Sequence, residues 1–132
     1  ELRYAVRGGR LPAWVRTVAE TLRLTPIIGT KPDGRIALCG FLFGSGDRAR
    51  RFARFVAGRA REGGAVEVAF GHGVCEQDAG QLEKHIRQRL PAVNTVSTTG
   101  LGTALGVHGG PGTLIVSMMP HRSADDVADR VD

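Results

Sequence analysis

Ala65-Val66-Glu67-Val68-Ala69-Phe70-Gly71-His72-Gly73 is the stretch on which the fold turns. A short apolar run broken off by glycines has strand length and reads as a buried strand. The residues that follow, Glu76 to Leu90, change period: Ala79, Leu82, Ile86 and Leu90 recur at helical spacing. Ala92 to Thr98 then reads as a strand again. Strand, helix and strand in succession argue a sheet with helices packed against it.

Working upstream, Asp47 to Glu62 carries one apolar stripe of Ala49, Phe52, Ala53, Val56 and Ala60. Arg48, Arg50, Arg51, Arg54, Arg59 and Arg61 occupy its other faces. Ser45 or Asp47 is available as its N-cap, and Gly63-Gly64 closes it. Before it, Pro26 to Thr30 and Arg35 to Phe43 flank Lys31-Pro32-Asp33-Gly34, whose proline and glycine positions mark a turn. That is a β-hairpin. An earlier helix opens at Pro12, with Leu11, Trp14/Val15, Val18 and Leu22 inward. Leu2 to Val6 is a helical turn closed by Gly8-Gly9.

Downstream, Leu101 to Gly106 reads as a short turn or helix and Thr113 to Met118 as the last strand. The order α-α-β-β-α-β-α-β-β predicts an α/β domain, a two-layer mixed β-sheet with packed helices. The domain is expected over residues 1–119. Residues 120–132 form a C-terminal tail or a short helix capped at Ser123-Ala124-Asp125-Asp126.

At 132 residues the chain makes one domain. Its 42% hydrophobic and 23% charged content excludes a disordered chain. Two cysteines, Cys39 and Cys75, exclude a disulfide framework and predict a cytoplasmic protein. No apolar run reaches the ~20 residues of a membrane span. Glu1-Leu2-Arg3-Tyr4 is neither a signal peptide nor an initiator start, which predicts a piece of a longer protein. The net charge of +5 raises nucleic acid as a partner. The arginines of 47–62 lie outside the apolar stripe with no aromatics interleaved, so a solvated face is the better reading and no nucleic acid is expected.

The chemistry concentrates in Leu105-Gly106-Val107-His108-Gly109-Gly110-Pro111-Gly112-Thr113-Leu114. Glycines at this density permit positive φ and close backbone approach. Such a loop either aims N–H groups at a carboxylate or phosphate, with His108 as a further donor, or is a tight connection. Arg7-Gly8-Gly9-Arg10 reads in two ways as well, as an anion-directed guanidinium or as a helix end with a solvated arginine. His72 and Cys75 lack the second pair of a zinc site. No Gly-Lys-Ser/Thr phosphate loop occurs. No cofactor, metal or catalytic residue is predicted.

Taken in order, these motifs resemble a known family. Leu2-Arg3-Tyr4-Ala5-Val6-Arg7-Gly8-Gly9-Arg10-Leu11, then Leu22-Arg23-Leu24-Thr25-Pro26-Ile27-Ile28, then Asp33-Gly34, look like the carboxy-terminal lobe of the DegV family. His108-Gly109-Gly110-Pro111-Gly112 resembles its His-x-Gly-Pro-Gly signature. The resemblance spans residues 2–118.

It implies a non-enzymatic lipid-binding lobe. A long-chain fatty acid would be buried, with its carboxylate near the cleft against an amino-terminal lobe. His108, Gly109, Gly110 and Gly112 would form the head-group loop, and Arg10 would lie nearby. It also implies a fatty acid kinase as a partner. Gly44, however, stands at about the place of the family's kinase-associated arginine, and Gly109 replaces a frequent hydroxyl residue. An isolated lobe is expected to form homodimers through its apolar interface. The alternative is a non-catalytic regulatory or assembly domain with a degenerate lipid pocket.

Overall fold

A computed structural model of the chain describes residues 24–44, 46–60 and 66–120, with positions 14, 17, 21 and 22. The expected turn at 2–6, most of the helix at 11–22, Ser45, Gly63-Gly64 and the tail from 121 onward lie outside the described residues. The elements are β1 (Leu24–Thr30), β2 (Ile36–Phe43), α1 (Arg48–Ala60), β3 (Val66–His72), α2 (Glu76–Arg89), β4 (Asn94–Gly100), α3 (Thr103–Gly109) and β5 (Leu114–Pro120).

The fold is α/β, with helices and a mixed sheet as expected, but the strands divide into two sheets. Among the described residues, β1 and β2 pair antiparallel only with each other. β3 is the centre of the second sheet, in the order β4-β3-β5, parallel to β4 and antiparallel to β5. A parallel pair needs a crossover of a dozen or more residues, and α2 supplies it. The strands divide in this way because hairpin pairing is local, whereas joining the hairpin to β3 requires a long-range pairing.

α1 begins where the chemistry predicts. The Asp47 side chain accepts the Arg50 N–H at 2.8 Å, satisfying one of the donors that a helix start leaves open. Arg51 folds back, its Nη2 donating to the Gly44 carbonyl at 2.9 Å and to that of Gly46. The buried face of α1 is Ala49, Ala53, Val56, Ala57 and Ala60. These small side chains let α1 lie closely against α2.

The core sits between these helices and β3. Val68 and Phe70 point inward from alternate positions of the strand and meet Leu82, Ile86 and Val93. Leu82 and Ile86 are fully buried. Each contributes roughly 1.5–3 kcal/mol relative to exposure. By strand alternation His72 shares the face of Val68 and Phe70, at the end of the strand where α2 begins.

Candidate functional site: the glycine loop at the end of β3

His108 and Gly109 close the helix α3, rather than standing in the loop. The helix runs three residues past the expected Gly106. Gly106 donates to the Gly102 carbonyl and Gly110 to that of Gly106, each at 2.8 Å, so the helical ladder continues through the glycines. It stops at Gly110, whose φ of 75° and ψ of 177° leave the helical region. Pro111 follows, where no further helix is possible.

The loop from Gly110 to Thr113 is stitched to the end of β3. Gly112 donates to the Gly73 carbonyl at 2.7 Å, and Gly73 donates to Thr113 at 2.9 Å. Thr113 N–H lies 3.4 Å from the Gly110 carbonyl. A methyl group on Gly73 would sit 2.6 Å from the Gly110 oxygen, and one on Gly109 would sit 2.7 Å from Thr113 Oγ1. The glycines are therefore required by close approach. The same bonds occupy the N–H groups of Gly110, Gly112 and Thr113, leaving recognition of an anion to side chains.

Cys75 joins this cluster by donating its thiol to the Thr113 carbonyl at 3.3 Å. Burial pushes the Cys75 thiol above its ordinary value, opposed by the Arg48 guanidinium and reinforced by Asp78. Arg48 Nη2 is paired with Asp78 in the first turn of α2. Arg48 Nη1 lies 3.7 Å from where a methyl group on Gly112 would stand. A second cross-helix pair joins His85 Nε2 to Asp47 Oδ2 at 3.4 Å.

Of the predicted site residues, His108, Gly109, Gly110 and Gly112 form one continuous turn of chain. His108 is half-buried in the last turn of α3. Arg10 lies outside the described residues. Two residues were not marked for this site by their sequence. Arg48 read as one cation among many on α1. His72, whose Nδ1 is buried and lacks a hydrogen-bond partner, had a local signal in the glycines on either side of it.

Large apolar side chains stand exposed near this loop. Val74 is 92% exposed, and Leu105 and Val107 stand exposed on α3, which buries none of its residues. Val74 also has φ of 53°, an unusual left-handed conformation for a β-branched residue. Among the described residues no three His, Cys, Asp or Glu are grouped to hold a metal. No described helix is long and apolar enough to cross a membrane.

A mixed three-stranded sheet with a glycine-rich loop locked to its central strand defines an α/β lobe of the DegV type. Solved structures share it: a fatty acid binding DegV family protein of Streptococcus agalactiae superposes with a TM-score of 0.71 at 21% identity, covering 92% of this chain and 42% of that one. A stearic acid-binding protein of Eubacterium ventriosum gives 0.74 at 22% identity, covering 91% and 42%.

The family model "Uncharacterised protein, DegV family" matches residues 1–121. The chain belongs to the DegV family. A DegV domain-containing protein of Clostridium perfringens is 31% identical over 117 residues, 89% of this chain and 41% of the relative. One of Streptomyces coelicolor is 30% identical over 114 residues, 86% and 40%. The chain thus spans about two-fifths of the length of these relatives.

Proposed function

We propose that this chain is the carboxy-terminal lobe of a fatty-acid-binding protein, holding the acyl carboxylate at the His108–Gly112 loop beside a cleft completed by an amino-terminal lobe. The observation that carries the reading is the coincidence of that loop with exposed apolar surface. Val74, Leu105 and Val107 offer water a greasy rim around a locked polar turn. An acyl chain gains about 0.8 kcal/mol per buried methylene, so the chain supplies affinity and the head group supplies orientation. The fatty acids bound by the solved neighbours support the same ligand class.

The lobe binds and presents its ligand without transforming it. The Cys75 thiol is held protonated by burial, and its hydrogen bond is directed to a backbone carbonyl. Phosphorylation of the carboxylate would fall to a separate kinase. Gly44, at the position associated with kinase engagement, has its carbonyl covered by Arg51. The missing arginine weighs against a kinase partner more than against lipid binding.

Native mass spectrometry followed by lipid extraction tests the reading. A stoichiometric fatty acid on the purified chain, with its head-group-dependent affinity lowered in His108→Ala, is the expected result. An empty chain that takes up no added fatty acid, alone or with the amino-terminal lobe of a DegV relative supplied, would overturn it and move the assignment to a regulatory or assembly domain.

A further inference from the structure

Arg48 is the first residue of α1, directly after the Asp47 cap, and its guanidinium lies beside Gly112 of the glycine loop. One arm of its guanidinium, Nη2, is held by Asp78. The other, Nη1, lies beside Gly112, 3.7 Å from where a methyl group on that residue would stand. The side chain is 34% exposed and so remains reachable from solvent. The N–H groups of Gly110, Gly112 and Thr113 are occupied by the chain's own carbonyls. An anion brought to this turn therefore needs a charged side-chain donor, and Arg48 is placed beside it.

We infer that Arg48 is a head-group residue that makes this site selective for a carboxylate over an uncharged polar head. The inference rests on the fatty-acid reading and deepens it. A guanidinium presents five N–H donors in a planar fork, so a pairing at Nη2 leaves donors for a second anion. Asp78 fixes the fork and offsets its charge. Arg48 thus contributes direction more than long-range attraction.

The test compares a long-chain fatty acid with the fatty alcohol of equal length, on the 132-residue chain and on Arg48→Met, Arg48→Lys and Arg54→Met. Arg48→Met is expected to lose about tenfold or more in fatty acid affinity, the size of one charge-assisted hydrogen bond, while alcohol affinity holds. Arg48→Lys should recover only part of the loss, because an ammonium lacks the fork. Arg54→Met, on the exposed face of α1, should match the unaltered chain. An unchanged acid-to-alcohol ratio in Arg48→Met overturns the inference, and so does an equal loss for both ligands, which would mark a packing role. If the unaltered chain binds neither ligand, alone or with the amino-terminal lobe of a DegV relative supplied, the fatty-acid reading fails, and this inference fails with it.

Discussion

Gly112 donates its N–H to the carbonyl of Gly73 at 2.7 Å, while the N–H of Gly73 goes to Thr113, one residue further along. This exchange fastens the signature loop to the end of the central strand. It joins residues distant in sequence; Gly73 has no room for a side chain, and Gly112 sits at a positive φ that disfavours one.

Alanine at the two positions should therefore act through different physics. Gly112 stands at φ of 81°, so Gly112→Ala should cost about 1–2 kcal/mol from left-handed strain alone. Gly73→Ala would place a methyl group 2.6 Å from a backbone oxygen and must displace the loop. Denaturant unfolding of both variants should show the larger loss in Gly73→Ala, with hydrogen exchange at Gly112 accelerated.

Val74 should behave in the opposite sense. It is almost wholly exposed and held at φ of 53°. Val74→Gly relieves that conformation, and although glycine adds entropy to the unfolded chain, the net change should be a stabilisation of up to about 1 kcal/mol. A lower melting temperature in Val74→Gly would show that the valine is supported by contacts worth more than its strain.

Asp47 predicts an acid limb. The Arg50 N–H, aided by His85, holds its carboxyl below the ordinary 3.8 against a smaller opposing effect of desolvation. A carboxylate with a lowered folded value adds stability above 3.8 and loses it as the pH falls through that lowered value. Asp47→Ser keeps a capping oxygen and removes the charge. The urea midpoint of the unaltered chain should exceed that of Asp47→Ser at pH 6, and the gap should close in acid.

Cys75 should be slow to alkylate. Burial raises its thiol above 9.0, and the thiolate is the reactive form. Below that value both folded and unfolded chains keep the proton. Above it the unfolded chain ionises first, so stability should fall with rising pH. Peptide mapping after iodoacetamide should show Cys75 modified more slowly than an unhindered thiol, and more slowly still in Arg48→Met. Fast modification of Cys75 at neutral pH would contradict the burial effect.

Much of the architecture is legible one residue at a time. The stripe read on α1 is buried at Ala49, Ala53, Val56 and Ala60, and that on α2 at Ala79, Leu82 and Ile86. Asp47 caps as its position suggests. The hairpin turn closes through Gly34 donating to Lys31 at 2.9 Å. These succeed because helical periodicity, caps and turns are set by neighbours within a few residues. The end of α3 is not legible in this way, for the same reason. Glycines that discourage a helix locally are carried through to Gly109 by the ladder on either side.

What the amino-acid sequence determined by itself was the order of the described elements, the inward faces of α1 and α2 and, through its ordered glycine motifs, membership of the DegV family; Trp14 and Leu22, expected inward, stand exposed. Only the tertiary structure decided that the hairpin forms its own sheet and that β3 lies between a parallel and an antiparallel neighbour. It alone turned the loop's N–H groups inward to Gly73 and its neighbours and brought Arg48 against Gly112. The division follows from range. Side-chain period and backbone turns are written in adjacent residues, whereas strand order and the meeting of a helix start with a distant loop depend on how the whole core packs.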